Sequence, residues 1–282
     1  MSIMVCAKRD EARHFVLKAK RAGKKVGIVP TMGALHSGHL SLVRASVSDC
    51  DLTVVTVFVN PTQFGTNEDL DKYPRDLEGD LNLLSELGVD MVFAPPSDEI
   101  YRADHSTYIQ PPKVAEPLEG ELRPGHFRGV LTIVLKLFQI IPADIAFFGQ
   151  KDFQQSRVIQ DMVADLDLPI SVQVCPTIRD ADGLALSSRN AYLTVPQRTQ
   201  ALALSASLKL AVQRFRDGLR SGQDMRTAMS ERLKEASIEK IDYVAVVDAK
   251  TLTSVGEVRA GDMALIAAYS GSTRLIDNVR IG

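Results

Sequence analysis

Two histidines, His36 and His39, stand three residues apart in the segment Pro30-Thr31-Met32-Gly33-Ala34-Leu35-His36-Ser37-Gly38-His39. The segment follows a short apolar run and opens a helical pattern. Backbone N–H groups at a helix start have no partner inside the helix, and the helix dipole adds positive potential there. A strand–loop–helix junction is therefore a ready anion site. Gly33 and Gly38 let the main chain approach a ligand closely. Imidazoles spaced i, i+3 face one side of a helical turn. There they can donate to phosphate oxygens whose charge grows as a leaving group departs. Loss of one such donor costs about a hundred- to a thousand-fold in rate.

Three further segments carry polar groups at comparable places. Phe58-Val59-Asn60-Pro61-Thr62-Gln63-Phe64-Gly65 follows a second apolar run and puts the amides of Asn60 and Gln63 at its carboxyl end. An amide both donates and accepts, which suits a ligand with hydroxyls and a carboxylate. Phe148-Gly149-Gln150-Lys151-Asp152-Phe153-Gln154-Gln155 again joins a strand pattern to a helix pattern. Lys151 at that helix start can reach phosphate, Asp152 is an N-cap candidate, and Gln155 lies i+4 from Lys151. Leu186-Ser187-Ser188-Arg189-Asn190 offers two hydroxyls and a guanidinium, a phosphate clamp in which arginine can bind bidentately.

The elements that must hold these groups alternate. Val26–Pro30, Leu52–Val59, Met91–Ala94, Ile145–Phe148 and Ile170–Val174 read as buried strands, and the near-continuous apolar character of Leu52–Val59 is that of a parallel sheet covered on both faces. Helical spacing runs from Gly38, over Asp76–Leu87 with Gly88 as its C-cap, over Phe127–Ile140 and over Phe153–Leu166. This predicts an α/β fold, a doubly wound, Rossmann-like domain over residues 1–177 with its ligand crevice at the carboxyl ends of the strands. The Pro-rich stretch from Pro95 to Pro124 is expected to be an irregular functional arm or lid. After it come helices near Pro196–Phe215 and Asp224–Ala236 and strands at Tyr243–Val247, Met263–Ala268 and Thr273–Ile281. They predict a smaller α+β domain over residues 178–282, closing over the site.

With 33 Lys and Arg against 35 Asp and Glu, the formal net charge is -2, so no global field attracts nucleic acid. The three cysteines, Cys6, Cys50 and Cys175, are widely spaced with no C-x-x-C pair, which argues for packing roles in a reducing, cytoplasmic setting. The apolar stretch at the N-terminus is too short for a signal peptide. Val130–Phe148 is interrupted by Lys136, Gln139, Pro142 and Asp144, and so reads as buried helix, turn and strand rather than a membrane span.

The H-x-G-H segment resembles the signature of the nucleotidyltransferase superfamily. Alone it leaves open small-molecule ligases, class I aminoacyl-tRNA synthetases and nucleotidyltransferases acting on phosphates. The set PTMGALHSGH, FVNPTQFG, LDKYPRD, EGELRPGHFRGV, FFGQKDFQQ and DGLALSSRNAYL, in this order over nearly the whole chain, resembles the pantoate–β-alanine ligase family. The resemblance implies ATP-dependent joining of (R)-pantoate to β-alanine through a pantoyl adenylate, with AMP and pyrophosphate released, Mg²⁺ on the phosphates, and a homodimer. It implies that Met32, Gly33, Ala34, Leu35, His36, Ser37, Gly38 and His39 bind ATP, with His39 at the family's proton-donor position or acting as a charge stabiliser. Gly149, Gln150, Lys151, Asp152, Ile178, Leu186, Ser187, Ser188 and Arg189 match the other ATP positions. In this reading Lys151, Ser187, Ser188 and Arg189 touch phosphate and Ile178 packs near adenine. Gln63 and Gln155, with Asn60, match pantoate and β-alanine positions; Arg123 and Glu119 lie in the arm. The chain departs from the pattern after Y-P-R, where some members have adjacent acidic residues near the metal. Here the residues are Asp76-Leu77-Glu78-Gly79-Asp80, and no protein ligand for the metal is assigned.

Overall fold

β-Branched runs with no polar alternation can lie only where both faces are covered, and they set the first sheet. The computed structural model of the chain describes residues 3–65 and 70–282. Two compact units divide it: Met1–Gly149 with Gln155–Pro176, and Gln150–Gln154 with Thr177–Gly282. The first unit holds strands β1 (Met4–Cys6), β2 (Val26–Thr31), β3 (Leu52–Val57), β4 (Met91–Phe93), β5 (Ile145–Gly149) and β6 (Ser171–Cys175). Its helices are α1 (Arg9–Arg21), α2 (Ser37–Asp49), α3 (Leu77–Ser85), the single turns α4 (Ser97–Ile100) and α5 (Glu119–Leu122), α6 (His126–Ile140) and α7 (Phe153–Asp165).

The six strands are parallel, in the order β1-β4-β3-β2-β5-β6, with Val26 opposite Leu52 and Thr31 opposite Val57. The predicted Rossmann-like sheet is therefore present. Strand order reverses between β2 and β5, and the crevice of such a sheet lies beyond the carboxyl ends at that reversal. Those ends at β2 and β3 release the loops that carry His36 and Asn60. Helix α2 is drawn tightly onto β2 at Gly27, where a β-carbon would stand 2.2 Å from Ser46 Oγ. The Ser46 hydroxyl lies 2.8 Å from that of Thr53 in β3. Val29, Val43, Val55, Leu84, Val92 and Phe147 form the core beside this contact.

The second unit is α+β, as predicted. Helices α8 (Val195–Arg216) and α9 (Gly222–Glu235) accompany an antiparallel sheet of β7 (Ile241–Val247), β8 (Met263–Ser270) and β9 (Thr273–Arg280). Leu204, Leu208, Met225, Met229, Leu233 and Ile266 fill its core. Thr194 caps α8 reciprocally with Gln197, and Pro196 stands in the first turn, where its missing N–H costs nothing.

Two readings are corrected, and two elements were not read in the sequence. Before Val26 stand β1, of three residues, and α1, which buries only Ala12 and Val16 among charged neighbours. The second strand stops at Val57, two residues early, so Phe58 and Val59 already belong to the loop. The stretch from Pro95 to Pro124 is not uniformly irregular. It contains α4 and α5, buries Ile100, Val114, Ala115 and Glu119, and hangs on α6 by the Ile109 N–H donating to Thr132 Oγ1.

Candidate active site

The loop leaving β2 is held from beneath by a carboxylate. Asp80 of α3 is 2 % exposed. Its Oδ2 accepts the Ala34 N–H at 3.0 Å and its Oδ1 the Leu35 N–H at 2.7 Å. Gly33 and Ala34 take left-handed backbone angles, φ 85° and 52°. A β-carbon at Gly33 would stand 3.0 Å from both Asp80 Oδ2 and Val57 Cγ1, so a side chain there would be crowded as well as strained by the positive φ. Thr31 Oγ1 adds a third tie by accepting the Gly33 N–H at 3.2 Å. Burial pushes the Asp80 carboxyl above its usual value, the Leu35 and Ala34 N–H groups pull it back, and Asp76 pushes it up again. Asp80 thus shapes the loop with both oxygens.

The histidines cap α2. His36 is the N-cap, its Nδ1 accepting the Gly38 N–H at 3.1 Å, and His39 Nδ1 accepts the His36 N–H at 3.4 Å. Their ring centroids are 4.1 Å apart. A backbone N–H can only donate, so each Nδ1 is an acceptor and the neutral ring carries its proton on Nε2. The capping role and the donor role are compatible: one edge of each ring serves the helix, and the other carries an N–H.

The turn after β3 is a 3-10 turn, Pro61–Gln63, with Asn60 as its N-cap. Asn60 is 1 % exposed, so its amide works inside the protein. Its Nδ2 donates to Gln63 Oε1 at 3.1 Å and to the Gly129 carbonyl at 3.2 Å. Gln63 Nε2 in turn donates to Met32 Sδ at 3.1 Å, which joins two predicted site loops. His126 of α6 is also buried. Its Nδ1 lies 2.9 Å from the Gln63 carbonyl and its Nε2 3.0 Å from Arg123 Nη1. The carbonyl can only accept and the guanidinium only donate, so neutral His126 carries its proton on Nδ1, the opposite tautomer to His36 and His39. Arg123 Nη1 also pairs with buried Glu119 at 3.8 Å. Gly129 lets the turn press onto α6: a β-carbon there would be 2.3 Å from the Thr62 carbonyl oxygen and 2.6 Å from Gln63 Cα.

Gln155 lies half-buried on the first turn of α7. In the second unit, Gln150–Asp152 form a 3-10 turn. Asn278 of β9, 3 % exposed, donates from Nδ2 to the Gln150 carbonyl at 2.9 Å and the Lys151 carbonyl at 2.8 Å. Its neighbour Asp277 is clasped by Arg179 through two bonds of 2.7 and 2.8 Å. Lys151 Nζ stands 3.6 Å from Asp152 Oδ1, with side-chain exposures of 20 % and 46 %. Ile178 and Leu186 are brought together, the Leu186 N–H donating to the Ile178 carbonyl at 3.0 Å. Ser187 caps the 3-10 turn Ser188–Tyr192 by accepting the Arg189 N–H at 3.3 Å. Asn190 Nδ2 donates to the Ala185 carbonyl at 3.0 Å.

The sequence profile described as pantoate–β-alanine ligase matches residues 4–280. The chain belongs to the pantoate–β-alanine ligase family. It is 46 % identical over 280 residues, 99 % of each chain, to the pantothenate synthetase of Pelotomaculum thermopropionicum. The crystal structure of pantothenate synthetase from Thermus thermophilus superposes with a TM-score of 0.94 at 40 % identity over 99 % of both chains. The pantoate–β-alanine ligase of Francisella tularensis, complexed with β-γ ATP and β-alanine, superposes at 0.81 with 33 % identity, covering 99 % of this chain and 97 % of that one. The chain is accordingly a ligase that condenses pantoate with β-alanine.

The motifs mark candidate loops in the sequence but not the groups that hold them: Tyr101, whose hydroxyl donates to Asn60 Oδ1 at 2.8 Å, His126, Gly129, Arg179, Asp277 and Asn278. One signal was available. A glycine inside the otherwise apolar helix run at Gly129 costs about 1 kcal/mol against alanine unless close packing requires it.

Proposed function

We propose that the condensation runs in two steps through pantoyl adenylate. A carboxylate oxygen of pantoate attacks the α-phosphorus of ATP; the bond to the bridging oxygen breaks and pyrophosphate leaves. The β-alanine amine then attacks the acyl carbon, the bond to the AMP oxygen breaks, and the nitrogen gives up a proton. A free carboxylate has no good leaving group, whereas the mixed anhydride releases AMP.

The observation that carries this reading is the α2 start, where His36 and His39 turn Nδ1 inward to the helix and so keep Nε2 as the N–H edge. Donors fixed in this way stabilise charge growing on phosphate without reorganising. Met32 to His39 are assigned to ATP, with His39 donating to the departing phosphates. Gly149 to Asp152, Ile178 and Leu186 to Arg189 are assigned to the same nucleotide, with Lys151, Ser187, Ser188 and Arg189 on its phosphates. Gln63 and Gln155 are assigned to pantoate. The Francisella complex supports ATP and β-alanine as ligands. Mg²⁺ is assigned to the ATP phosphates as part of the substrate. Asp80, the acidic candidate, has both oxygens engaged by loop N–H groups. Cytoplasmic location and a homodimer complete the proposal; among the described residues no helix is long and apolar enough to cross a membrane. Sedimentation at twice the monomer mass would support the dimer, and a monomer would refute it.

The deciding experiment is exchange of labelled pyrophosphate into ATP with Mg²⁺ and without β-alanine. Exchange that depends on pantoate supports the adenylate. Its absence from a folded, ATP-binding protein would remove it.

A further inference from the structure

We propose that Tyr101 is a positioning residue that, by bracing Asn60, holds Gln63 with its amide N–H turned outward, so that the site presents an N–H donor to an acceptor oxygen of its acid substrate. The inference rests on the assignment of Gln63 to pantoate.

Amide orientation here follows from groups that have no choice of role. The Gly129 carbonyl can only accept, so the end of the Asn60 amide 3.2 Å from it is the NH₂. The Thr62 N–H can only donate, so the other end is oxygen, at 3.4 Å. The same NH₂ faces Gln63 at 3.1 Å, so the Gln63 atom there is Oε1. The Gln63 NH₂ is thereby turned the other way, to Met32 Sδ. Thioether sulfur is a weak acceptor, and an NH₂ carries two hydrogens, so this end can donate to a ligand oxygen.

Tyr101 completes the fix. Its hydroxyl donates to Asn60 Oδ1 at 2.8 Å, shorter than the 3.0 Å bond from Thr62 Oγ1, and lies 3.2 Å from that threonine hydroxyl. Burial raises the Tyr101 phenol above its usual value, so it keeps the proton it donates. Its ring is braced edge-on by His105, with centroids 4.9 Å apart, and Lys136 Nζ stands 5.4 Å from its centre. Tyr101 follows α4, in the stretch read from sequence as an arm. That stretch therefore supplies a fixed strut to the substrate turn.

Three variants test this by steady-state kinetics and pyrophosphate exchange, with melting temperatures alongside. Tyr101→Phe removes one hydroxyl and should raise the KM for pantoate about three- to tenfold, the worth of one hydrogen bond. The KM for ATP should move less than about twofold. Gln63→Glu keeps the shape but cannot donate and sets a charge against a carboxylate, so it should lose more pantoate affinity than Gln63→Ala. Gln63→Glu outperforming Gln63→Ala would mean that the residue acts as an acceptor and would overturn the polarity. An unchanged pantoate KM in Tyr101→Phe, or equal rises for pantoate and ATP, would overturn the role of Tyr101. Wild-type protein without pantoate-dependent exchange would instead refute the function on which the inference rests.

Discussion

The two units hold their candidate groups differently: both fix backbone, but the first also fixes candidate side chains. In the first, polar side chains with almost no exposure reach in from distant elements: Asp80 at 2 % beneath the histidine loop, Asn60 at 1 % behind Gln63, and His126 at 7 % on the Gln63 carbonyl. Gln63 is held there at its own side-chain amide and His36 and His39 at Nδ1, while Asp80 and His126 hold the backbone around them. In the second, Asn278 fixes the backbone carbonyls of Gln150 and Lys151, while the Lys151 side chain stays 20 % exposed beside its neighbour Asp152. Ser187 and Asn190 likewise fix the turn before Arg189 by backbone bonds. A buried polar group left unpaired costs about 1–3 kcal/mol, so the first arrangement tolerates little displacement. A long cation on a fixed backbone can instead follow a phosphate as its charge moves. Fixed donors suit a ligand whose shape or charge position is set in advance, and a longer-reaching cation suits a phosphate whose charge moves along a reaction.

The contrast predicts that the first unit breaks sharply when its packing is disturbed. Gly129→Val is expected to have the largest effect. Its β-carbon would stand 2.3 Å from the Thr62 carbonyl oxygen, and the turn bearing Gln63 must move off α6. Overpacking of this kind costs about 1–3 kcal/mol or more, and pantoate-dependent exchange should fall below detection. A variant that retains exchange would show that the turn is adaptable and that the contrast fails.

His39→Ala separates function from packing at one residue. The ring accepts one N–H at the start of α2, so its loss should cost about 1 kcal/mol of stability. Adenylate formation should slow about a hundred- to a thousand-fold. Near-normal turnover with a sharply lowered melting temperature would assign the ring to capping alone.

Asp80→Asn should weaken the loop by about 1.5–3 kcal/mol, the worth of hydrogen bonds to a charged acceptor. The wild-type carboxyl titrates above its ordinary value of 3.8 because burial disfavours its charge. The folded state therefore binds the proton first, and stability from this group is greatest below the unfolded value and falls as pH rises through the folded one. The stability gap between wild type and Asp80→Asn, read by urea unfolding, should widen as pH falls from neutrality towards about 4. A gap that narrows would mean that the ionised form is the better-stabilised one.

The same division decides what the sequence made legible. Apolar runs such as Leu52–Val57 identify a sheet covered on both sides because burial acts on local composition. The H-x-G-H loop is legible because its chemistry lies within four residues. The supports are not, since they are set by tertiary contact: Asp80 stands 46 residues from Ala34, Tyr101 41 from Asn60, and Asn278 128 from Gln150. An isolated aspartate or tyrosine between helices carries no local mark of such a role. Strand β1 escaped for the reverse reason, its three residues being too few to show a period.

The smallest effect is expected where the backbone, rather than the working side chain, is held. Asn278→Ala removes both donations to the Gln150–Lys151 turn and leaves the Lys151 side chain intact. Two neutral hydrogen bonds are worth about 1–3 kcal/mol, part of which the turn recovers from water. Pyrophosphate release measured before the steady state should slow about tenfold, less than in Lys151→Ala, where the cation itself is gone. The KM for pantoate should hold, because Gln63 is fixed by groups of the first unit. Equal losses in Asn278→Ala and Lys151→Ala would mean that the backbone position of the turn accounts for the whole contribution of Lys151, and that both units work by fixed geometry. A pantoate KM that rises with the slowed release would show that acid recognition also depends on this turn.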